Sequence, residues 1–357
     1  MVKSEPTSKS KPGMSSEPLT KRKPQTRSER REMEEQFEQP RIWSEKGDMA
    51  YWYDAGMSME KPRIAATLRL EHLKRTGRVS PDTEKFLEKC RETEALADGN
   101  LASLIVNHPT WPWASGVKGA GKENYPKCVG VVEKFGRHYD VGDPMIPPYV
   151  KREPETYLIE VKGKVVEKVG IWVEGIERLE TPSKLRKFLG INVDPETGEV
   201  PRRKAGHKLG FSMEGRMIHF RMGTSLLRAG GIWYHGSTED GYSLGYEGLR
   251  KRIVERKEAQ VVPTPKERTC LHCNIVVTEK KTLYCPQCGE KLTLKVEPPG
   301  FLFTGHLHLK AMREMMQDFT LCYWLVWRQA LGLPITEPYS VAKLNHKPID
   351  PWKMVDR

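Results

Sequence analysis

Apolar side chains recur at helical spacing through much of this chain, and the pattern predicts most of its secondary structure. The stretches 64–73 and 81–90 each place apolar residues three or four positions apart. A longer stretch, 307–331, repeats the pattern, and Gly332 and Pro334 follow it as terminators. These stretches predict long packing helices in the first and last thirds of the chain.

A different pattern, of β-branched residues interrupted by glycines, covers residues 157–172 and predicts a β-hairpin. A short helix should follow, because Thr181 can serve as its N-cap, Pro182 suits its first position and Gly190 can end it. A second helix is predicted over residues 213–229, where two glycines stop it. The predicted fold class is therefore mainly α with small β parts.

Charge and composition narrow the choice of partner. The 357 residues include 59 Lys and Arg against 47 Asp and Glu, a formal net charge of +12, and 38% are hydrophobic. This is enough for two or three domains with at least one core, and the positive charge favours nucleic acid as the partner. Because there is neither a membrane-length apolar run nor a signal-peptide core, we expect a cytoplasmic protein without membrane contact, nucleoid-associated if prokaryotic.

Four cysteines form two tight pairs, in Cys270-Leu-His-Cys273 and Cys285-Pro-Gln-Cys288-Gly. This spacing lets two thiolates of one turn bind one metal ion, and two such pairs complete a tetrahedral zinc site. The pattern predicts a zinc ribbon whose zinc is structural, since four thiolates leave no open coordination position. The alternative is a pair of disulfides, although nothing else in the chain suggests secretion. The other three cysteines are expected to be buried, inert thiols.

Residues 117–129 have the spacing of a helix-hairpin-helix, in which a glycine hairpin joins two short helices. Such a hairpin leaves backbone N–H groups at the start of the second helix free to bind a DNA phosphate. Tyr125 and Pro126 depart from the usual pattern, and the alternative is a plain glycine turn between core helices. The candidate DNA-binding residues of this segment are Lys118, Gly119, Gly121 and Lys122.

Basic residues concentrate between positions 201 and 257, with twelve Lys or Arg against five Asp or Glu. A basic turn lies at the start of this region. Its candidate DNA-binding residues are Arg202, Arg203, Lys204 and Lys208.

The helix predicted over 213–229 places Arg221, Ser225 and Arg228 on one face. A serine between two arginines can attack a phosphodiester while the arginines stabilise the developing charge. The alternative is a solvated basic face with an incidental serine, because no adjacent general base is evident.

The order of these segments resembles the C-terminal half of one transposase family, the insertion-sequence recombinases guided by a bridge RNA. The resemblance covers roughly residues 105–330 and rests on the glycine hairpin, the helix after Thr181, the basic turn, the serine-bearing helix and the closing helix from Gly305. It implies a helical domain whose serine becomes joined to DNA, with Ser225 as nucleophile and Arg221 and Arg228 as helpers. Family members also carry a RuvC-like domain with four metal-binding acidic residues, and residues 1–100 contain no such series. The zinc ribbon is an insertion relative to the family.

The predicted organisation follows from these segments. Residues 1–40 form a disordered basic tail and 41–104 a helical packing region. A helical DNA-binding domain with the helix-hairpin-helix and the β-hairpin spans 105–257 and 301–333, a zinc ribbon spans 266–297, and 334–357 form a C-terminal tail.

Two functions are consistent with these features. One is a transposase or recombinase-related protein that binds double-stranded DNA and forms a phosphoserine linkage, with a guide RNA, a homo-oligomer or a RuvC-like protein as further partners. The other is a non-catalytic zinc-ribbon module that binds DNA or RNA. The two differ in whether Ser225 reacts.

Overall fold

The chain folds mainly into helices, with small sheets at its periphery. The computed structural model describes residues 47–356 except 162, 195–198, 204–205, 238–244, 265–266, 271, 274, 278–281, 293–296 and 344–346. The α-helices are α1 Asp48–Arg75, α2 Pro81–Leu104, α3 Trp111–Ala114, α4 Tyr125–Glu133, α5 Gly175–Arg178, α6 Pro182–Phe188, α7 Met213–Ala229, α8 Ile232–His235, α9 Gly245–Lys257, α10 Thr304–Ala330 and α11 Tyr339–Ala342. The strands are β1 Arg137–Tyr139, β2 Glu155–Val161, β3 Lys164–Val173, β4 Gln260–Val262, β5 Arg268–Thr269, β6 Val276–Val277 and β7 Phe301–Phe303. The basic tail predicted at residues 1–40 lies outside the described residues.

Helices α1 and α2 form a long hairpin, joined by a turn in which Gly77 adopts a left-handed conformation (φ 68°). The tip of this hairpin has its own small apolar cluster, Ala66, Leu70 and Leu87. At its base, Tyr53 and Leu101 are buried in the main core. The two stretches predicted to be packing helices are therefore confirmed as helices, and the base of the hairpin is continuous with the core.

Helix α10 forms the centre of the core. Phe319, Tyr323 and Trp324 are fully buried along it, and Phe319 and Tyr323 pack edge to face against Tyr125 of α4. The indole N–H of Trp324 donates to the carbonyl of Leu179 at 2.7 Å, which satisfies its one polar group. Burial of these aromatic rings supplies much of the hydrophobic stabilisation of the fold.

The predicted β-hairpin is confirmed. Strands β2 and β3 pair antiparallel, with Val161 opposite Lys164 at the turn, and β1 pairs with the other edge of β3 to give the order β1-β3-β2. Val173, at one end of this sheet, is fully buried, whereas Val165 near the turn and Val169 in the middle of β3 are exposed. The hairpin therefore projects from the helical body.

The predicted helix boundaries around the serine-bearing segment are also confirmed. The Thr181 hydroxyl accepts a hydrogen bond from the Lys184 N–H at 3.1 Å, and Gly190 (φ 63°) follows the end of α6. Helix α7 covers the predicted span, begins after Ser212 as N-cap and ends at Gly230 in a left-handed conformation. Both helices thus begin and end at their local capping signals.

The C-terminal residues, predicted to be a tail, return to the core. Met354 is fully buried, and the indole N–H of Trp113 donates to the carbonyl of Pro351 at 2.8 Å. Asp356 closes this segment against residues 116–118, where its own N–H donates to the Gly116 carbonyl at 2.7 Å. The segment gains order because it covers apolar surface that local patterning does not reveal.

The ribbon region is tethered at both ends by one short pair of strands. Strands β4 and β7 pair in parallel, with Gln260 opposite Phe301, and the cysteine-bearing residues lie between them in sequence. The chain therefore leaves and rejoins the helical body at adjacent positions. This is the arrangement expected of an inserted unit.

Candidate metal centre and basic surfaces

The four cysteines predicted as metal ligands converge on one point. Their sulfur atoms all lie within 4.8 Å of one another, and the separations include 3.5 Å between Cys270 and Cys288 and 3.2 Å between Cys273 and Cys288. All four thiols are free, so the structure does not contain the alternative disulfides. Sulfur ligands at about 2.3 Å from zinc would be about 3.8 Å apart in a tetrahedron, close to what is observed. The cluster can hold a metal ion.

Each cysteine pair lies on a tight turn closed by backbone hydrogen bonds. The N–H of Cys270 donates to the Ile275 carbonyl at 2.9 Å, and the N–H of Cys285 donates to the Glu290 carbonyl at 2.7 Å. Gly289 takes a left-handed conformation (φ 71°), as the glycine after the second pair was expected to allow. The two turns face each other and present their sulfurs to a common centre.

Backbone donors favour the thiolate form at two of the four cysteines. The N–H groups of Cys288 and Gln287 lower the pKa of the Cys285 thiol to about 6, and the N–H of Cys273 lowers the pKa of Cys270. The pKa values of Cys273 and Cys288 are raised, with contacts to the neighbouring sulfurs among the causes. Thiolates are the form that binds metal. Among the described residues of the unit, Leu292 is the one buried apolar residue besides the cysteines, and it packs with Val277. A core this small is typical of units that a bound metal ion stabilises.

The segment predicted to be a helix-hairpin-helix has a different form. Its first helix is the single turn α3, turns occupy residues 115–124, and the second helix begins only at Tyr125. Two features explain why this helix begins only at Tyr125. Tyr125 is fully buried against Trp113 and Phe319. Pro126 takes a position in the first turn, where its missing N–H costs no helical hydrogen bond. The helix-hairpin-helix is thus not confirmed, and a glycine turn stands in its place.

The two glycines of this turn serve different purposes. Gly119 has φ 91°, and a Cβ there would lie 2.9 Å from Leu226 Cα on helix α7. Gly121 is exposed, and a Cβ there would meet no atom within 4 Å. Within the part of the chain that the structure describes, the N–H groups of Lys122 and Glu123 donate to no other backbone group. Gly119 therefore allows close packing on α7, whereas the backbone around Gly121 faces solvent.

The predicted serine contacts this turn directly. The Ser225 hydroxyl donates to the Gly119 carbonyl at 2.9 Å, although the two residues are 106 positions apart. Ser225 is half-buried, and Arg228, on the same turn of α7, is exposed. The contact between Ser225 and Gly119 thus docks the glycine turn, with its exposed Lys118 and Lys122, on the helix that carries the exposed Arg228. The residues Lys118, Gly119, Gly121, Lys122 and Arg228 are here called the glycine-turn surface.

Arg221 does not face this surface as an unpaired cation. Its guanidinium forms an ion pair with Glu60 of helix α1, and the Glu60 side chain is only 12% exposed. Pairing with a nearly buried carboxylate fixes α7 against α1 and uses the charge that a phosphate would need. Arg221, Ser225 and Arg228 thus lie on α7 as predicted. The Ser225 hydroxyl and the Arg221 guanidinium, however, already have partners within the protein.

One backbone N–H of the glycine-turn surface, that of Lys118, is hydrogen-bonded to a carboxylate within the protein. Asp356 accepts from the Lys118 N–H at 2.8 Å and from the Ile232 N–H at 2.6 Å. This contact links the C-terminal segment to the turn and to the start of α8. The Lys118 side chain stays exposed, so its charge remains available.

The basic turn lies elsewhere. Arg202, Arg203 and Lys208 are exposed, and Lys204 lies outside the described residues. Arg216, near the start of α7, donates to the Pro201 carbonyl at 2.8 Å. Nine residues of helix, about 14 Å, separate Arg216 from Ser225. The basic turn and the glycine-turn surface are thus two separate patches.

The histidines at the start of α10 do not form a metal pair. His306 contacts Glu297, with Nδ1 2.8 Å from Oε2, while His308 Nδ1 lies 2.6 Å from the Tyr246 hydroxyl. The two rings point to different partners, as expected for residues two apart in a helix.

Comparisons with known proteins add no relative. No protein-family model, no curated protein and no solved structure matches this chain. Among the described residues, every helix is too short or too polar to cross a membrane.

Proposed function

We propose that this protein binds nucleic acid, most favourably double-stranded DNA, and that the glycine-turn surface is one of its contacts. The observation that carries the proposal is the docking of the glycine turn, which carries the exposed Lys118 and Lys122, on helix α7, which carries the exposed Arg228. The turn and the helix are about a hundred residues apart in sequence. Exposed cations around unpaired backbone N–H groups suit phosphate oxygens, which accept both kinds of hydrogen bond.

The metal of the cysteine cluster, on this proposal, is zinc. Four thiolates in a tetrahedral arrangement match the preference of zinc, and no other described group lies close enough to complete an open catalytic site. The zinc would hold the two cysteine turns together, and the chain's own residues would make any contact with a partner.

The geometry favours binding over reaction at Ser225. A nucleophile needs a base to take its proton, but the Ser225 hydroxyl donates to a backbone carbonyl, which is not a base, and Arg221 is held by Glu60. Attack on DNA would require both contacts to open. A phosphoserine linkage, a guide RNA and a RuvC-like partner therefore stay predictions of the family resemblance.

The glycine-turn surface can be tested with the triple variant Lys118→Gln/Lys122→Gln/Arg228→Gln. If each side chain neutralises one phosphate, the slope of log affinity against log salt for a duplex DNA should become shallower by about 2.7. Fluorescence anisotropy with a labelled duplex measures this slope. All three side chains are exposed, so the melting temperature should hardly change.

The matched control removes three cations from the tip of the α1–α2 hairpin, as Lys74→Gln/Arg75→Gln/Lys85→Gln. The control should keep the wild-type slope. Equal slopes in the two triple variants would contradict a role for the glycine-turn surface.

A further inference from the structure

A second basic site lies between helices α9 and α10, away from the glycine-turn surface. It is a pocket of about 240 Å³ lined by Val193, Arg252, Arg256, Arg313, Glu314, Gln317 and Asp318. Three of these seven residues are arginines, contributed by two helices that are far apart in sequence. The three guanidinium groups share the cavity with two carboxylates, those of Glu314 and Asp318.

Glu314 arranges two of the arginines. Its carboxylate oxygens accept from Arg252 and Arg256, each at 3.1 Å, and its side chain is only 13% exposed. The two arginines are one helical turn apart on α9, and the shared carboxylate holds them side by side. Each guanidinium has five N–H donors, so each retains donors for a ligand after pairing.

Arg313 supplies a cation without a matching hydrogen bond. Its Nε–H is buried and has no hydrogen-bond partner among the described residues. Burial lowers the pKa of Arg313; the charge of Glu314 opposes this shift and that of Arg256 adds to it. A buried donor without an acceptor is the kind of group that an incoming acceptor stabilises.

The excess of positive charge continues along the same helices. Burial, together with the nearby positive charge of Lys257, lowers the pKa of Lys310 to about 8. Lys310 and Arg313 are three positions apart on α10, about 5 Å along its axis. The pair Lys257 and Lys310 therefore forms a second cation site about one helical turn from the arginines of the pocket.

The acidic groups here are fewer than the cations. Glu314 is shared between two arginines. Burial raises the pKa of Asp318 to about 6, which leaves this carboxyl mostly ionised at neutral pH. Glu297, which also faces Lys310, is engaged by His306. The five cations Arg252, Arg256, Lys257, Lys310 and Arg313 therefore exceed the carboxylates around them.

We propose that this pocket binds a backbone phosphate of duplex DNA through Arg256 and Arg313, while Lys257 and Lys310 neutralise the adjacent phosphate. Forked guanidinium donors match phosphate oxygens, and a polymer with regularly spaced phosphates fits two cation sites one turn apart. An acidic protein segment is the less suitable occupant, because its carboxylates are not held at the regular spacing that backbone phosphates have. The inference rests on the proposed binding of nucleic acid and assigns it a second contact site.

The test uses the full chain and a labelled duplex DNA of about 30 base pairs, with affinity measured across a range of salt concentrations. Lys257→Gln/Lys310→Gln should make the salt slope shallower by about 1.8 and weaken binding roughly tenfold near 0.1 M salt. Arg313→Lys keeps the charge and loses the forked donors, so it should weaken binding severalfold while the slope stays close to that of the wild type. Circular dichroism melting shows whether each variant is folded.

The control variant Lys74→Gln/Lys85→Gln removes the same charge from the tip of the α1–α2 hairpin and should leave both quantities unchanged. Wild-type binding with equal slopes in the two double variants would overturn the pocket assignment and leave the proposed function standing. Absence of wild-type binding to DNA would overturn both. Competition by polyglutamate that depends on Arg313 and equals competition by unlabelled duplex would assign the pocket to an acidic protein partner and overturn the proposal.

Discussion

Replacing Cys285 with serine should remove the metal from this protein and unfold the ribbon region. Serine lacks the soft thiolate that zinc prefers, and three remaining sulfurs bind the ion far more weakly. Structural zinc contributes on the order of 10 kcal/mol to the folding of units this small. Among the unit's described residues, Leu292 is the one buried apolar side chain besides the cysteines, which is too little to replace that contribution.

The expected readout is one zinc per chain in the freshly purified, reduced wild type and almost none in Cys285→Ser, measured by elemental mass spectrometry. Proteolysis should then cut within residues 264–299 while the helical body stays intact, because β4 and β7 close the chain outside the unit. Cys90→Ser makes the same chemical change at a buried cysteine outside the cluster and should keep its zinc. Full zinc content in Cys285→Ser, or none in the wild type, would refute the metal assignment.

Gly119→Val should lower the stability of the fold, whereas Gly121→Val should leave the stability unchanged and lower the affinity for DNA, although the two glycines are only two positions apart. At Gly119, valine meets both a left-handed backbone (φ 91°) and the backbone of α7 at 2.9 Å. Together these should cost about 2–4 kcal/mol. The melting temperature should fall by roughly 5–15 °C for a helical body of this size.

Gly121→Val should leave the melting temperature within about 2 °C of the wild type, because its side chain projects into open space. The same side chain would stand where a phosphate must approach the backbone, so DNA affinity should fall by a similar factor for unrelated sequences. Thermal melting and anisotropy on two duplexes of different sequence separate the effects. A loss of affinity confined to one DNA sequence would contradict phosphate binding at this turn.

Features set by neighbouring residues could be predicted from the sequence. Thr181 and Gly190 mark the limits of α6 because capping is a local hydrogen-bonding matter. The four cysteines converge because each pair shares one turn, and pairing of the two turns completes the cluster. Helix α7 and the hairpin of β2 and β3 likewise follow from spacing and from glycine positions.

Contacts between distant segments could not be predicted. The ion pair of Arg221 with Glu60 joins residues 161 positions apart, and the contact of Asp356 with the Lys118 N–H spans 238 positions. No local pattern indicates either contact, yet the first gives the Arg221 guanidinium of the serine-bearing face an intramolecular partner. Similarly, the packing of Tyr125 against Phe319 sets where α4 begins and overrides the hairpin motif.

The pocket between α9 and α10 could be predicted only in part from the sequence. Arg252 and Arg256 belong to a basic stretch that is visible in the sequence, and their spacing places them on one face of a helix. Their partner Glu314 and the unsatisfied Arg313 come from a helix about sixty residues later. Only the packing of the two helices brings these groups together.

The salt dependence of duplex DNA binding by the wild-type protein tests the central claim most directly. With about six phosphates neutralised across the basic surfaces, log affinity plotted against log salt should fall with a slope of roughly −5. RNA duplexes of equal length, measured in parallel, distinguish the two polymers. A steep slope with DNA is the predicted result, whereas a flat dependence, or no binding at about 50 mM salt, would contradict the proposed function.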